Sequence, residues 1–240
     1  MDFSFDFSSL EFDFSGQKKQ EETDEVGEFL RSAKVNRVPV EYENALDMAK
    51  AVNMQDDYFC IVGGSSIYGD FIEALCDAQD MKPKRVNVTT LGMGEENIDS
   101  LVNLIDYLGC KEVNLIVSNY FAAVERHKLM PYMIQEAFGR PFNVAVCASH
   151  MKICTIDSEK GQMTMFGSAN LSSSNNVEEF QISHDPGLFS YCNRIMDGIM
   201  KRFCVIRGMK QETIFENNSK NTGRKMFTAV KEIADGNDGE

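Results

Sequence analysis

The chain has 240 residues and a mass of 27.0 kDa, and its 24 Lys and Arg residues against 37 Asp and Glu residues give a formal net charge of −13. A hydrophobic content of 43% excludes a wholly disordered chain, and at this length no metal or disulfide is needed to stabilise a core. With no run of about 18 apolar residues, the sequence predicts no stable membrane insertion. The acidic N-terminus lacks the basic segment of a signal peptide, so we expect a cytoplasmic protein.

The first 37 residues form a predicted extension that is acidic and rich in Phe. It repeats a phrase, DFSFDFSS and then EFDFSG, within residues 2–16. Alternation with period 2 is compatible with an edge strand, and a tail that docks on a protein partner through its Phe side chains is the interpretation we favour. The charged residues 20–34 weakly favour a helix.

From Val38 the sequence alternates between short apolar runs and amphipathic segments. The predicted strands are VPVEY, YFCIVGG, KRVNVTTL and EVNLIVSN, followed after Pro141 by FNVAVCA, HMKICTID, QMTMFGS and EEFQISH with only short connections. Helices are predicted between the first strands, with a break near Pro131 in the last of them, and over residues 187–205. The pattern predicts an α/β domain over residues 38–207, with a mixed, mostly parallel β-sheet flanked by helices on both faces. Residues 208–240 form a predicted polar tail.

Seven cysteines are scattered along the chain with no CxxC spacing, and most lie in apolar runs such as YFCIV and VAVC. This distribution predicts buried, reduced thiols. It gives no indication of a metal site or of a cofactor.

The residues that suggest chemistry lie between positions 149 and 183. His150 and Lys152 are two residues apart on a predicted strand, so their side chains should leave the same face. The turn SEKG (158–161) then reverses the chain. The returning strand should deliver Ser168 and Asn170 beside the start of the first strand. A histidine, a cation and neutral donors brought together in this way suit a phosphoryl group.

In this order the residues resemble the phospholipase D superfamily. The pattern H-x-K-x4-D is met by His150, Lys152 and Asp157, and G-S-x-N is met by Gly167, Ser168, Ala169 and Asn170. A carboxylate follows at Glu178 or Glu179. The nine residues between Asp157 and Gly167 exceed the usual gap of that superfamily, and a longer hairpin turn would absorb the difference. The resemblance covers about residues 55–205 and implies the phospholipase D-like fold.

The resemblance also implies a metal-independent phosphodiesterase or phosphatidyl transferase that needs no cofactor. It implies that His150 attacks phosphorus to form a phosphohistidine, while Lys152 and Asn170 hold the phosphate oxygens. The carboxylate would orient the imidazole, and period 2 points one of the two glutamates inward. We favour Glu178, with Glu179 kept open. Ser168 would be a supporting hydroxyl, and Asp157 would have a structural role.

The sequence contains a single copy of the motif, although the chemistry needs a second group to protonate the leaving oxygen. His127 and His184, the other histidines, lack the flanking residues of the motif. The resemblance therefore implies a homodimer that shares one site.

Three function classes follow from these observations. We expect a hydrolase that acts on nucleic acid, a nuclease-like and DNA-binding phosphodiesterase, because single-motif members of the superfamily are often endonucleases. The acidic net charge opposes this assignment, although it says nothing about one cleft. A phospholipid phosphodiesterase or phosphatidyl transferase is the second class. The third is a catalytically silent DNA- or protein-binding module that keeps the fold.

Overall fold

The computed structural model describes residues 27–32, 39–42, 44–63, 68–172, 176–210 and 212–213. The predictions for residues 1–26 and for the tail after residue 213 lie outside this part of the chain. Among the described residues no helix is long and apolar enough to cross a bilayer.

The described residues form one sheet of 11 strands and six α-helices. The strands are β1 (Gly27–Ser32), β2 (Pro39–Tyr42), β3 (Asp57–Val62), β4 (Pro83–Thr90), β5 (Val113–Ser118), β6 (Phe142–Cys147), β7 (Ile153–Ser158), β8 (Gly161–Gly167), β9 (Glu178–Ser183), β10 (Cys204–Arg207) and β11 (Glu212–Thr213). The helices are α1 (Ala45–Ala51), α2 (Tyr68–Ala78), α3 (Glu95–Asp106), α4 (Asn119–Val124), α5 (Leu129–Ala137) and α6 (Pro186–Phe203). The α/β class predicted from the alternation is therefore correct.

The sheet is mixed, but the prediction that it is mostly parallel is wrong. Its strand order is β11-β10-β6-β5-β4-β7-β8-β9-β3-β1-β2, and only the β4–β5 and β5–β6 pairs are parallel. Those two pairs are joined by crossovers through helices. The strands from β7 to β9 follow one another through short connections, which impose antiparallel pairing. The strand β7 then adds to β4 in the antiparallel sense as well.

Two strands lie beyond the limits of the predicted 38–207 domain. Residues 27–32, inside the segment for which a weak helix was predicted, form β1 between β2 and β3. The phrase GEFLRS has its two apolar residues, Phe29 and Leu30, next to each other, so it lacks the alternation with period 2 that would predict a strand. At the other end, β11 pairs with β10 inside the predicted tail.

The helix boundaries follow local rules of capping and of proline geometry. The Asp185 side chain accepts a hydrogen bond from the Leu188 N–H at 2.7 Å, and Pro186 occupies the first turn of α6. The predicted break near Pro131 falls earlier, over residues 125–128, and Pro131 lies in the first turn of α5. A proline is tolerated there because the first N–H groups of a helix have no intrahelical partner.

The two faces of the sheet bury different kinds of side chain. One face packs on α1 to α5 through a large apolar core that includes Val88, Leu115, Phe142 and Ile156. The other face is covered by α6 over the central strands, where a smaller cluster includes Ile116 and Ile199. The predicted covering of both faces by helices is therefore seen over the central strands.

The centre of the face under α6 is a row of asparagines. Asn143, Asn114 and Asn87 lie opposite one another on β6, β5 and β4. The Asn143 amide donates to Asn114 at 3.0 Å, Asn114 donates to Asn87 at 2.9 Å, and Asn87 donates to Asn193 of α6 at 2.5 Å. The hydroxyl of Thr155 also donates to Asn193, at 2.7 Å. Hydrogen bonds between these amides, of which Asn87, Asn114 and Asn193 are buried, offset part of the cost of removing them from water, although the Asn193 Nδ2 atom has no partner within the described residues.

The seven cysteines are free, and all but Cys204 are buried. Burial raises the pKa of the Cys76 thiol to about 12 and, as the largest influence, that of Cys110 to about 11. Such thiols stay protonated at neutral pH, so they are poor nucleophiles. The prediction of buried thiols is confirmed.

Candidate phosphoryl-transfer site

The fold gathers three segments of the motif at the carboxyl end of the central strands. The loop 148–152 joins β6 to β7, and β7 begins beside Thr89 near the end of β4. The hairpin of β7 and β8 has the predicted turn, with Ser158 opposite Gly161 and a φ of 136° at Gly161. Because β8 returns to the same end, the segment 168–172 and the start of β9 lie at the same edge of the sheet.

His150 and Lys152 lie in the loop before β7, so their predicted placement on a strand is wrong. The strand begins at Ile153, whose N–H donates to the Thr89 hydroxyl at 2.8 Å. A turn precedes it, in which the Ser149 hydroxyl accepts from the Met151 N–H at 3.2 Å. The His150 side chain is exposed and Lys152 is half-buried. The histidine is thus open to a ligand from solvent.

Ser168 connects the end of β8 to the start of β9. Its hydroxyl donates to a carboxylate oxygen of Glu178 and accepts from the Glu179 N–H at 3.0 Å. Its own N–H donates to the Glu179 carbonyl oxygen at 2.8 Å. Immediately before it, a Cβ on Gly167 would lie 2.2 Å from that same carbonyl oxygen. The close approach of β8 and β9 at this point therefore requires glycine, which gives the G-S dipeptide a structural reason.

The negative charge of Glu178 acts on the amine of Lys152. Burial lowers the pKa of Lys152, and the charge of Glu178 raises it by a smaller amount. The alternation along β9 puts Glu178 on the side of Phe180 and Ile182, which face the large core, and Glu179 on the opposite side. Of the two glutamates, Glu178 is therefore the one that the fold brings towards the lysine and the serine.

Asn170 is anchored to the loop that follows β4. Its side-chain oxygen accepts from the Leu91 N–H at 3.2 Å, and the next residue, Leu171, donates its N–H to the Thr90 hydroxyl at 3.3 Å. A Cβ on Gly92 would lie 4.0 Å from the Asn170 amide carbon. Since the bond to Leu91 uses the oxygen, the Nδ2 group is the part of Asn170 that can donate to a phosphate.

Sequence reasoning missed the contribution of β4 to this site. Thr89 holds the start of β7, and Thr90 and Leu91 hold the segment after β8. The available signal was the run TTLGMG, in which hydroxyls and glycines follow an apolar strand.

Asp157 is not part of this cluster. It lies near the other end of β7, opposite Arg85 and Gln162. Five residues of extended strand separate it from Lys152, which is roughly 16 Å. This position is compatible with the structural role that the resemblance implies for it.

The other two histidines have local partners outside the cluster. The Nε2 atom of His127 accepts from Arg126 at 2.9 Å. His184 follows β9, and its Nδ1 atom lies 3.6 Å from a carboxylate oxygen of Asp57. Across the ranges that the structure describes, no three His, Cys, Asp or Glu side chains form a group that could hold a metal.

Comparison with known proteins leaves the family of the chain open. No family model matches it, and no curated protein matches it significantly. Among solved structures, polyphosphate kinase from Porphyromonas gingivalis aligns with a TM-score of 0.42 and 18% identity, over 65% of this chain and 24% of that one. TrmBL2, an archaeal chromatin protein with a novel mode of DNA binding, aligns with a TM-score of 0.41 and 9% identity, over 60% of this chain and 52% of that one. This chain thus spans about a quarter of the kinase and about half of TrmBL2. At TM-scores below 0.5, these likenesses establish neither a shared fold nor an activity.

Proposed function

We propose that this chain is a metal-independent phosphodiesterase of the phospholipase D type, which acts on nucleic acid through a phosphohistidine at His150. The observation that carries the proposal is the position of Lys152 beside the bonded pair of Ser168 and Glu178. The Lys152 carbonyl oxygen accepts from the Gly167 N–H at 3.3 Å, and the exposed motif histidine lies two residues before Lys152 in the loop. A cation and an amide are groups that stabilise charge on a transferring phosphoryl group, and Lys152 and Asn170 supply them here, while the Ser168 hydroxyl holds the Glu178 carboxylate.

The proposed reaction has two steps. In the first, an imidazole nitrogen of His150 forms a bond to phosphorus while the bond to the leaving oxygen breaks, and that oxygen takes a proton from a second histidine. In the second step the same histidine removes a proton from water, whose oxygen attacks phosphorus as the phosphorus–nitrogen bond breaks. Lys152 and the amide of Asn170 neutralise the phosphate oxygens in both steps.

One exposed aromatic residue near the motif is of the kind that nucleic-acid-binding proteins use. Tyr120 lies in α4, which follows β5 at the same end of the sheet as the motif loop, and its side chain is 76% exposed. Proteins that bind single-stranded nucleic acid use such rings to stack on bases.

We further propose that the second histidine is His150 of a second copy of the chain. A two-fold axis through the site would place the two histidines on opposite sides of one phosphate, and it would double the positive charge from Lys152. Mixing wild-type chains with an excess of His150→Ala chains should then suppress activity beyond simple dilution. A chain that is monomeric by light scattering and fully active would contradict the shared site.

The proposed function is tested by a substrate panel in EDTA: single- and double-stranded DNA, RNA, phosphatidylcholine and bis(p-nitrophenyl) phosphate. We expect hydrolysis of nucleic acid and of the small diester. His150→Ala should lower activity by about three orders of magnitude or more, since it removes the nucleophile. His127→Ala is the matched control and should retain activity.

Each other result of the panel contradicts a specific part of the proposal. Hydrolysis of phosphatidylcholine alone would reassign the substrate class. Binding without hydrolysis would identify a silent module, and activity that EDTA abolishes would contradict the metal-independent mechanism.

A further inference from the structure

A polar cavity lies at the amino end of β4, β5 and β6, at the opposite end of these strands from the motif. Its volume is about 410 Å³, within the range of small-ligand sites. We call it the basic pocket, and it is lined by Lys84, Lys111, Glu112, Pro141, Asn143, Arg207 and Met209. Three cations against one carboxylate give these residues a net charge of +2, in a chain whose net charge is −13.

Neighbouring strands build the basic pocket, so its charges are held close together by the sheet. The Lys111 N–H donates to the Pro83 carbonyl oxygen at 3.2 Å, and this bond joins the segment before β5 to the first residue of β4. The Val113 N–H donates to the Pro141 carbonyl oxygen at 2.8 Å, which ties β5 to the approach to β6. On the other side, Arg207 of β10 lies opposite Asn143 of β6.

The cations of the basic pocket lack the carboxylate partners that two arginines of the same domain have. Arg85 is paired with Asp197 at 3.0 Å, and Arg140 is paired with Asp106 at 2.9 Å. None of the side chains that the structure describes forms an ion pair with Lys84, Lys111 or Arg207. Like charges that converge in this way repel one another and favour an anion between them.

A neutral donor completes the lining of the basic pocket. Asn143 is half-buried, and its Nδ2 atom donates one hydrogen bond to Asn114 at 3.0 Å. An amide nitrogen carries two hydrogens, so one is left for a ligand. The row of asparagines behind it fixes the orientation of the amide.

We propose that the basic pocket binds a phosphate-bearing anion, at a site separate from the motif. Lysine, arginine and an amide N–H are the donors that recognise phosphate oxygens, and Pro141 and Met209 add an apolar wall beside them. The role that we propose for the pocket is binding alone. This role does not depend on the proposed phosphodiesterase activity.

The test is a calorimetric titration of the full chain with inorganic pyrophosphate, in a Lys152→Gln background that removes the motif cation. We expect one binding site per chain. Lys111→Gln and Arg207→Gln should each weaken it about tenfold, because each removes a charge-assisted hydrogen bond. Glu112→Gln should tighten binding, which misfolding cannot do. Lys50→Gln changes an exposed lysine of α1 and should have no effect.

Absence of binding, or an equal loss in the Lys50→Gln control, would overturn the proposal. Neither result would bear on the phosphodiesterase, because the titration measures binding in a chain that lacks the motif lysine. A short single-stranded DNA oligonucleotide then distinguishes two sources of the phosphate. If it displaces pyrophosphate and depends on Arg207, the pocket takes a backbone phosphate. If it does not, the pocket takes a free oligophosphate.

Discussion

The two ends of β4, β5 and β6 both contain cations, but their polar side chains are organised differently. At the carboxyl end the loop after β4 holds the Asn170 amide and Ser168 holds the Glu178 carboxylate, so these polar groups are oriented before any ligand arrives. At the amino end Lys84 and Lys111 are exposed and unpaired within the described side chains. Polar groups that are already oriented suit the stabilisation of a transition state, whereas exposed, unpaired cations suit the binding of a ground-state anion.

After loss of the His150 nucleophile, the largest effects on catalysis should come from the cation and the amide at the carboxyl end. Lys152→Ala and Asn170→Ala should each cost about 2–4 kcal/mol of transition-state stabilisation, by analogy with the loss of an oxyanion donor. The loss should appear in kcat rather than in KM, measured by steady-state hydrolysis of the small diester. Lys111→Ala at the opposite end is the control. If either motif substitution raised only KM, that residue would bind the ground state, and the carboxyl end of the strands would not differ from the amino end in this respect.

The next effect concerns the backbone approach that holds Ser168 in place. Gly167→Ala would put a Cβ 2.2 Å from the Glu179 carbonyl oxygen, so β8 and β9 must separate. We expect a loss of about 1–3 kcal/mol in the free energy of unfolding, as for other overpacked sites, together with lower kcat. Gly63→Ala is the matched control, because its nearest contact would be a side-chain carbon at 3.9 Å. Equal urea midpoints for the two variants would contradict the tight contact.

How much of this organisation the sequence predicts depends on how local each feature is. The β7–β8 hairpin and α6 follow from a turn and from an amphipathic helix, and both were predicted. The pairing of β7 with β4 was not, because nothing in either segment specifies a partner across more than sixty residues. For the same reason the contacts from Thr90 and Leu91 to the motif were missed.

The asparagines and the basic pocket show a second limit of sequence reasoning. Asn87 and Asn114 occupy the polar positions of their strands, which a period-2 pattern would assign to solvent, yet both are buried under α6. Lys84, Lys111 and Arg207 are far apart in the sequence, and only the strand order brings them together. The order of the strands in a sheet depends on packing between distant segments, so it cannot be predicted from a local sequence pattern.

The smallest predicted effect separates the contribution of Lys152 to catalysis from its contribution to the stability of the fold. Burial lowers the pKa of this lysine from its ordinary 10.5, and the attraction of Glu178 opposes that shift only in part. Between the lowered pKa and 10.5, the unfolded chain binds more protons than the folded chain, so this lysine makes stability rise with pH in that window. Below the window, at neutral pH, the folded chain retains the full cost of burying the charge.

Lys152→Met keeps most of the side-chain volume and removes that cost, while Glu178 keeps its hydrogen bond from Ser168. The variant should therefore be at least as stable as the wild type at pH 7, although it is inactive, and its stability should rise less between pH 7 and pH 10. Urea unfolding at the two pH values measures both quantities, with Lys50→Met as the exposed control. A variant less stable than the wild type at pH 7 would mean that Lys152 contributes to the fold through Glu178. Lys152 and Glu178 would then be an ordinary stabilising ion pair. They would not be a site at which the fold buries a charge, with a loss of stability, for the sake of catalysis.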